Sequence, residues 1–166
     1  MCCLLPPPPP GPPPTPQWQA SPRVLFVRRV HYLAHPRHDG NIVRRLDNED
    51  TIYAALERAA AAPNAGFTLV NGMFSSMSMA EQVAAVQDAC IIMGAHGAGL
   101  SHVLFGPPGL HMFELRPPAF MRPHFIAYSH WAGAVHHDWP LGTSTPPPDE
   151  VLRRLTALVS EVRTTK

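Results

Sequence analysis

A glycine-rich turn, Gly94–Gly99, contains the residues best suited to binding a ligand. It follows a short apolar run, Cys90–Met93, and precedes a second apolar segment, Leu100–Phe105. This order predicts a strand, a glycine loop and the start of a helix. Glycine permits positive φ and close approach to a ligand, and the first N–H groups of a helix carry partial positive charge. The turn therefore predicts a phosphate-binding loop, although an empty strand-to-helix turn has the same pattern.

Charged side chains near the predicted strand ends could complete such a site. Arg28 and Arg29 directly follow an apolar run, Arg45 lies in the loop beyond it, and Glu114 lies in a later apolar run. Guanidinium groups match the geometry of phosphate, and an acidic residue can accept hydrogen bonds from ribose hydroxyls. The alternatives are solvated surface charge for the arginines and a helix cap or an ion pair for Glu114. The set indicates a nucleotide or nucleotide-sugar site.

A hydrolase is a second interpretation of the same turn. His96–Gly99 resembles the oxyanion loop of esterases, which also need a nucleophilic serine in a G-x-S-x-G turn. None of the serines lies in such a turn. The sequence therefore disfavours a serine hydrolase.

A metal site is the third interpretation, because the chain contains 10 histidines. Three groups have suitable side chains: His31 with His35 and His38, His96 with His102, and His136 with His137 and Asp138. No H-E-x-x-H motif occurs, and no cysteine pairs with a histidine at zinc-finger spacing. We therefore expect no metal ligands and no metal cofactor.

Alternating strand and helix patterns predict how these residues are positioned. Apolar runs predict strands over 24–27, 67–71, 90–93, 110–115 and 133–136. Helices are predicted after an N-cap at Asp47, after a capping box at Ser78, after the glycine loop, over 124–130 and from Asp149. The order predicts an α/β fold with a doubly wound parallel sheet. Arg28, Asn71, His96 and Glu114 should then converge at the carboxyl edge of the sheet.

Composition limits the other possibilities. The chain has 166 residues, of which 1–22 form a proline-rich tail that we expect to be disordered, leaving 23–166 as one domain. A net charge of +1 disfavours nucleic acid as a partner. Cys2 and Cys3 lie in the tail and Cys90 in a strand, so no disulfide framework is predicted within the domain. Neither a signal peptide nor a membrane-spanning segment is visible.

Together these motifs resemble glycosyltransferase family 61, in the family's order and roughly its spacing over residues 23–140. The segments that carry the resemblance are VLFVRR at 24–29, RLDNE at 45–49, MAEQV at 79–83, MGAHGAGL at 93–100, LFGPPG at 104–109 and FELRP at 113–117. Two features depart from the family pattern. His102 stands where asparagine is usual in the family, and the segment 30–41 is longer and richer in histidine than is usual there.

The resemblance implies a Rossmann-like domain corresponding to the carboxyl-terminal, donor-binding half of a GT-B glycosyltransferase. It implies inverting, metal-independent transfer from a UDP-linked sugar (xylose, GlcNAc or arabinose) to a glycan or glycoprotein acceptor, with no cofactor. It also implies a Golgi or ER-lumen location. The acceptor and the catalytic base would belong to an amino-terminal half-domain, which is a possible partner, and no catalytic residue is identified in this chain.

The resemblance further implies roles for individual residues. Donor-binding residues would be Arg28, Arg45, His96, Gly97, Ala98 and Gly99 around the diphosphate and Glu114 at the ribose. Arg29, Asn48 and Glu49 would support the site, the last two by orienting the loop that carries Arg45. The ring of His96 could instead hold the loop without contacting the donor.

A function of a different class is also compatible with the sequence. The chain could be a non-catalytic α/β binding or scaffolding module, a half-domain whose proline-rich tail docks SH3- or WW-type partners.

Overall fold

A five-stranded sheet forms the centre of the fold in the computed structural model, which describes residues 21–29, 46–118 and 122–164. The strands are β1 (Arg23–Val27), β2 (Thr68–Gly72), β3 (Ile91–Ala95), β4 (His111–Arg116) and β5 (Val135–Pro140). All neighbours pair in parallel, in the order β2-β1-β3-β4-β5. The predicted doubly wound parallel α/β fold is therefore confirmed. Residues 1–20 of the proline-rich tail, Arg45 and the histidines of the 31–38 loop lie outside the described residues.

Helices cover both faces of this sheet. They are α1 (Glu49–Ala60), α2 (Met79–Gln87), α3 (His124–Ala132) and α4 (Pro148–Thr164), with 3₁₀ helices at Phe74–Ser76 and Ala98–Phe105. One face packs on α1 and α4 through Phe26, Met93 and Phe113. The other packs on α2, α3 and the second 3₁₀ helix through Leu25 and Met112. Two covered faces explain why β1 and β3 are apolar at successive positions rather than alternately.

Two helix starts differ in how well the local sequence predicted them. Ser78 forms the predicted capping box with Glu81, whose backbone N–H donates to the serine Oγ at 3.3 Å. At α1, however, the predicted N-cap Asp47 is wrong, and Asn48 occupies that position without a side-chain cap. The Asp47 carboxylate instead accepts a hydrogen bond from Ser144, 97 residues further along the chain. A tertiary contact has therefore replaced the local one.

The fifth strand begins and ends later than predicted. Gly133 has φ of 65°, the left-handed conformation that ends α3, so the strand starts at Val135 and continues to Pro140. Its central residues are polar because the side chain of each contacts another side chain: His136 contacts Glu114, His137 contacts His111, and Asp138 contacts Arg116. No helix in the described part of the chain combines the length and the apolar character needed to cross a bilayer.

Candidate functional site

The strand order reverses between β1 and β3, because the chain runs from β1 outward to β2 and then returns to place β3 on the other side of β1. Connections on the two sides of such a point leave toward opposite faces, which opens a crevice at the carboxyl ends of the two strands. Arg28 and Arg29 follow β1, and His96 and Gly97 follow β3. The sheet thus brings Arg28 and Arg29 to the same edge as the glycine loop.

One contact in this crevice joins Arg29 to the glycine loop. The Nη2 atom of Arg29 donates a hydrogen bond to the carbonyl oxygen of His96 at 3.2 Å. A Cβ atom built on Gly97 would overlap this guanidinium group and would lie 3.1 Å from Nη1. Gly97 is itself extended, with φ of 163°. Glycine is required here for the close approach of an arginine side chain.

The other loop glycines also serve packing. A Cβ on Gly94 would lie 2.7 Å from the carbonyl oxygen of Val27, and one on Gly99 would lie 2.5 Å from Cγ1 of the same valine. Among the described glycines, φ lies in the left-handed region at Gly109 and Gly133, which are outside the loop. The loop glycines therefore do not supply the left-handed conformation; they allow close packing of Val27 and Arg29, and close approach to a ligand stays a prediction.

Arg28 and the start of α1 form the second side of the crevice. Arg28 pairs with Asp50 and lies over the ring of Tyr53, with Cζ 4.2 Å from the ring centroid. Its Nε is 3.9 Å from Oε1 of Glu49, which accepts a hydrogen bond from the backbone N–H of Arg29 at 2.9 Å. Burial raises the pKa of Glu49, opposed by that hydrogen bond and by both arginines. Two arginines thus face two carboxylates, and neither Asp50 nor Tyr53 was among the predicted site residues.

A buried polar network lies beneath the loop. His96 is fully buried, and its Nδ1 contacts one carboxylate oxygen of Glu114; the other oxygen accepts from Nε2 of His136 at 2.8 Å. Burial alone would raise the pKa of Glu114, but the hydrogen bonds and charges of His136 and His96 lower it. An ionised carboxylate only accepts hydrogen bonds, so both histidines donate to it. The network connects β3, β4 and β5.

Aromatic rings of α3 complete the surroundings of His96. Its ring packs edge-to-face on His124 and Phe125, with centroid distances of 5.0 and 4.9 Å. These residues and His136 were missed as neighbours of the loop. Alternation along β5 places His136 on the same face as Glu114, but this signal requires knowing that β4 and β5 are adjacent.

Three predicted site residues have contacts within the protein that the sequence did not assign to them. Glu114 is only 3% exposed, and each of its carboxylate oxygens contacts a histidine. This matches the ion pair that the sequence analysis gave as the alternative role of Glu114. Its contact with a ribose stays a prediction. Asn48 donates to the carbonyl oxygen of Pro146 at 2.8 Å, and Glu49 supports Arg29. Their action on the loop of Arg45 also stays a prediction, since that loop is outside the described residues.

The sequence-predicted metal groups are not assembled where the structure describes them. Nδ1 of His102 is 3.1 Å from the carbonyl oxygen of Gly99, whereas His96 points to Glu114. His136 and His137 project from opposite faces of β5, as successive strand residues do. Within the described residues, the histidines of these groups are therefore separated by the sheet or by the loop.

The order of the strands and the loop at their reversal define a Rossmann-like α/β domain with a candidate phosphate crevice. The chain belongs to glycosyltransferase family 61, whose model, Glycosyltransferase 61, matches residues 6–113. This match extends into the proline-rich tail and ends in β4, so its span differs from the 23–140 expected from the motifs. Family membership, as predicted from the motifs, is confirmed.

Curated relatives support the same family. The chain is 42% identical over 144 residues to a beta-1,2-xylosyltransferase of Arabidopsis thaliana, covering 84% of this chain and 27% of that protein. It is 44% identical over 114 residues to beta-1,2-xylosyltransferase RCN11 of Oryza sativa subsp. japonica, covering 69% and 21%. An EGF domain-specific O-linked N-acetylglucosamine transferase of Xenopus laevis is 26% identical over 134 residues, covering 75% and 25%. The chain spans about a quarter of the length of these relatives.

Proposed function

We propose that this chain is the donor-binding half of a GT-B glycosyltransferase that transfers a sugar from a UDP-linked donor to a glycan or glycoprotein acceptor. The observation that carries the proposal is the guanidinium group of Arg29 packed on Gly97 at the strand-order reversal. Membership of glycosyltransferase family 61 supplies the class of reaction.

The diphosphate would be bound by this arginine and by backbone N–H groups. The first N–H groups of a helix have no acceptor within that helix, and here they belong to Ala98 and Gly99 at the start of a 3₁₀ helix. Arg29 donates to a neutral carbonyl, which a charged phosphate oxygen would replace as the stronger acceptor. Arg28, on the other side of the crevice, pairs with the carboxylate of Asp50. We assign the principal cationic contact to Arg29, because its guanidinium group lies against Gly97 of the loop.

Transfer would be inverting and independent of a metal ion. Backbone dipoles and a guanidinium group can stabilise the charge that develops on a leaving diphosphate. A base must deprotonate the acceptor hydroxyl, and we assign it to an amino-terminal half-domain that would face this crevice. The chain's coverage of only about a quarter of each relative is compatible with such a second half.

UDP-xylose is the donor that we favour. The two relatives at 42% and 44% identity are named beta-1,2-xylosyltransferases, whereas the N-acetylglucosamine transferase is 26% identical. We further propose that the enzyme works in the secretory pathway, as the family resemblance implies.

Donor binding by the full chain tests this proposal. UDP-xylose and UDP-GlcNAc are titrated by calorimetry with a chelator present, and thermal unfolding is followed in parallel. A ligand at about 100 times its Kd adds about 2.7 kcal/mol to the free energy of unfolding. Arg29→Ala should weaken UDP-xylose binding about 10- to 100-fold, since a charge-assisted hydrogen bond contributes about 1.5–3 kcal/mol.

Arg153→Ala is the matched control, because Arg153 is an exposed arginine of α4 that pairs only with its helical neighbour Glu150 in the described contacts. This variant should bind UDP-xylose like the unmodified chain. A folded chain that no UDP-sugar stabilises would refute the donor site, as would equal binding by both variants.

A further inference from the structure

A second group of polar side chains lies on the opposite face of the sheet from the His96 network. His111 begins β4, His137 is in β5, and Glu161 is in α4, which covers this face. Nδ1 of His111 is 2.9 Å from Nε2 of His137, and the rings stack with centroids 5.1 Å apart. One ligand atom of each of the three residues lies within 4.8 Å of the other two.

The parallel register produces this grouping. His111 pairs with Val135 and Phe113 pairs with His137, so the two histidines are diagonal neighbours whose side chains share a face. Glu161 lies in the last turns of α4, so the end of this helix is near His111, the first residue of β4. The group is therefore near the amino edge of β4, away from the crevice at the carboxyl ends of β1 and β3.

Burial disfavours the charged form of both histidines. Burial and the charge of His137 lower the pKa of His111, against the opposing effect of Glu161. Burial also lowers the pKa of His137, where Glu161 again opposes the shift and His136 adds to it. A neutral imidazole has a lone pair available for coordination.

We propose that His111, His137 and Glu161 form a Zn²⁺ site that fastens α4 to the β4–β5 edge of the sheet. Two imidazole nitrogens and one carboxylate oxygen are ligands that zinc accepts, and each of them binds it at about 2.0–2.2 Å. Three ligand atoms that already lie within 4.8 Å of one another can surround an ion with small adjustments. Water would occupy the fourth position, on the side where Glu161 is exposed.

Coordination requires a defined tautomer of each ring. Nδ1 of His111 and Nε2 of His137 would both bind the metal, so each neutral ring would carry its proton on the other nitrogen. The ion replaces the hydrogen bond that now joins the two rings. Zinc here would have a structural role, and its binding is independent of the donor-binding function proposed above.

Zinc binding is tested on the full chain with Cys2→Ser and Cys3→Ser, because thiols of the tail could also bind zinc. The chain is freed of metal with a chelator and titrated with Zn²⁺ by competition calorimetry, and with Co²⁺ as a spectroscopic probe. We expect high-affinity binding of zinc and an increase in thermal stability on loading. UDP-xylose affinity should be unchanged by zinc.

Single substitutions locate the ion. His111→Gln, His137→Gln and Glu161→Gln should each weaken zinc binding at least about 100-fold, since even residues that only support metal ligands often contribute 10- to 100-fold. His130→Gln is the control, because His130 is an exposed histidine of α3, and it should leave zinc binding unchanged. Glu161 is exposed, so its variant keeps the fold and remains informative if the histidine variants unfold. Absence of zinc binding, or binding that Glu161→Gln leaves intact, overturns the site.

Discussion

Replacing Gly97 by alanine tests whether this glycine is needed for the stability of the fold or for binding of the donor. The added methyl group would overlap the end of the Arg29 side chain, which is flexible and can move away. When the Arg29 side chain moves away, its hydrogen bond to the carbonyl oxygen of His96 is lost. Loss of that hydrogen bond lowers the free energy of unfolding by about 1 kcal/mol. Because Gly97 is extended, alanine adds no backbone strain, and it stabilises by about 0.4–1 kcal/mol through the unfolded chain. The net change in stability should therefore be below about 1 kcal/mol.

Gly94→Ala is the matched comparison from the same loop. Its methyl group would lie 2.7 Å from the backbone carbonyl oxygen of Val27, its partner in the β1–β3 ladder. Backbone in the centre of a sheet cannot move aside as an arginine can, so the substitution should destabilise by about 1–3 kcal/mol or more. Gly142→Ala meets no atom within 4 Å and measures the contribution of the unfolded chain alone.

Urea denaturation gives the three stabilities, and calorimetry with UDP-xylose gives the affinities. We expect Gly97→Ala to keep nearly the stability of Gly142→Ala while losing donor affinity, because Arg29 is displaced. Gly94→Ala should be the least stable of the three. If Gly97→Ala is as unstable as Gly94→Ala, the arginine is fixed rather than mobile. If it binds UDP-xylose normally, the diphosphate does not lie between Arg29 and the loop.

Two further substitutions test the scaffold beneath and beside the loop. Glu114→Gln should cost about 2–3 kcal/mol at pH 7, since it weakens two charge-assisted hydrogen bonds. Because the folded-state pKa of Glu114 is lowered, this stability is present above its usual value of 4.5 and is lost as the pH falls through the folded-state pKa. The difference between Glu114→Gln and the unmodified chain in urea denaturation should therefore shrink at acid pH, and a constant difference would contradict the ionised network. Ser78→Ala should cost about 1 kcal/mol through loss of the capping box, whereas Ser78→Asp should retain most of that stability; equal loss in both would exclude a capping effect.

Features that depend on neighbours in the sequence were predictable. Apolar runs predicted β1, β3 and β4, and the Ser78–Glu81 spacing predicted the start of α2. A strand buried on both faces and a capping box each need only a few consecutive residues for their physical cause to be visible. The arrival of the arginines and the glycine loop at one edge then followed from parallel pairing alone.

Features that depend on distant partners were not predictable. Asp47 has the side chain of a helix cap, but Ser144 binds it in the folded chain. Gly97 has the residue type of a turn, but its lack of a side chain accommodates Arg29, which follows β1. His111 and His137 carried no shared signal, because their proximity requires the order and register of β4 and β5.

The buried network explains how a short loop can be held in place for binding. A loop that binds a diphosphate through backbone N–H groups must keep those dipoles oriented before the ligand arrives, since reorientation would cost part of the binding energy. Here both the backbone and the side chain of His96 are held: its backbone carbonyl accepts a hydrogen bond from Arg29, and its ring donates one to Glu114. Glu114 in turn reaches β5 through His136. The loop is thus attached to β4 and β5 as well as to β3, and Glu114, whose contact with a ribose stays a prediction, holds the ring of His96 in this network.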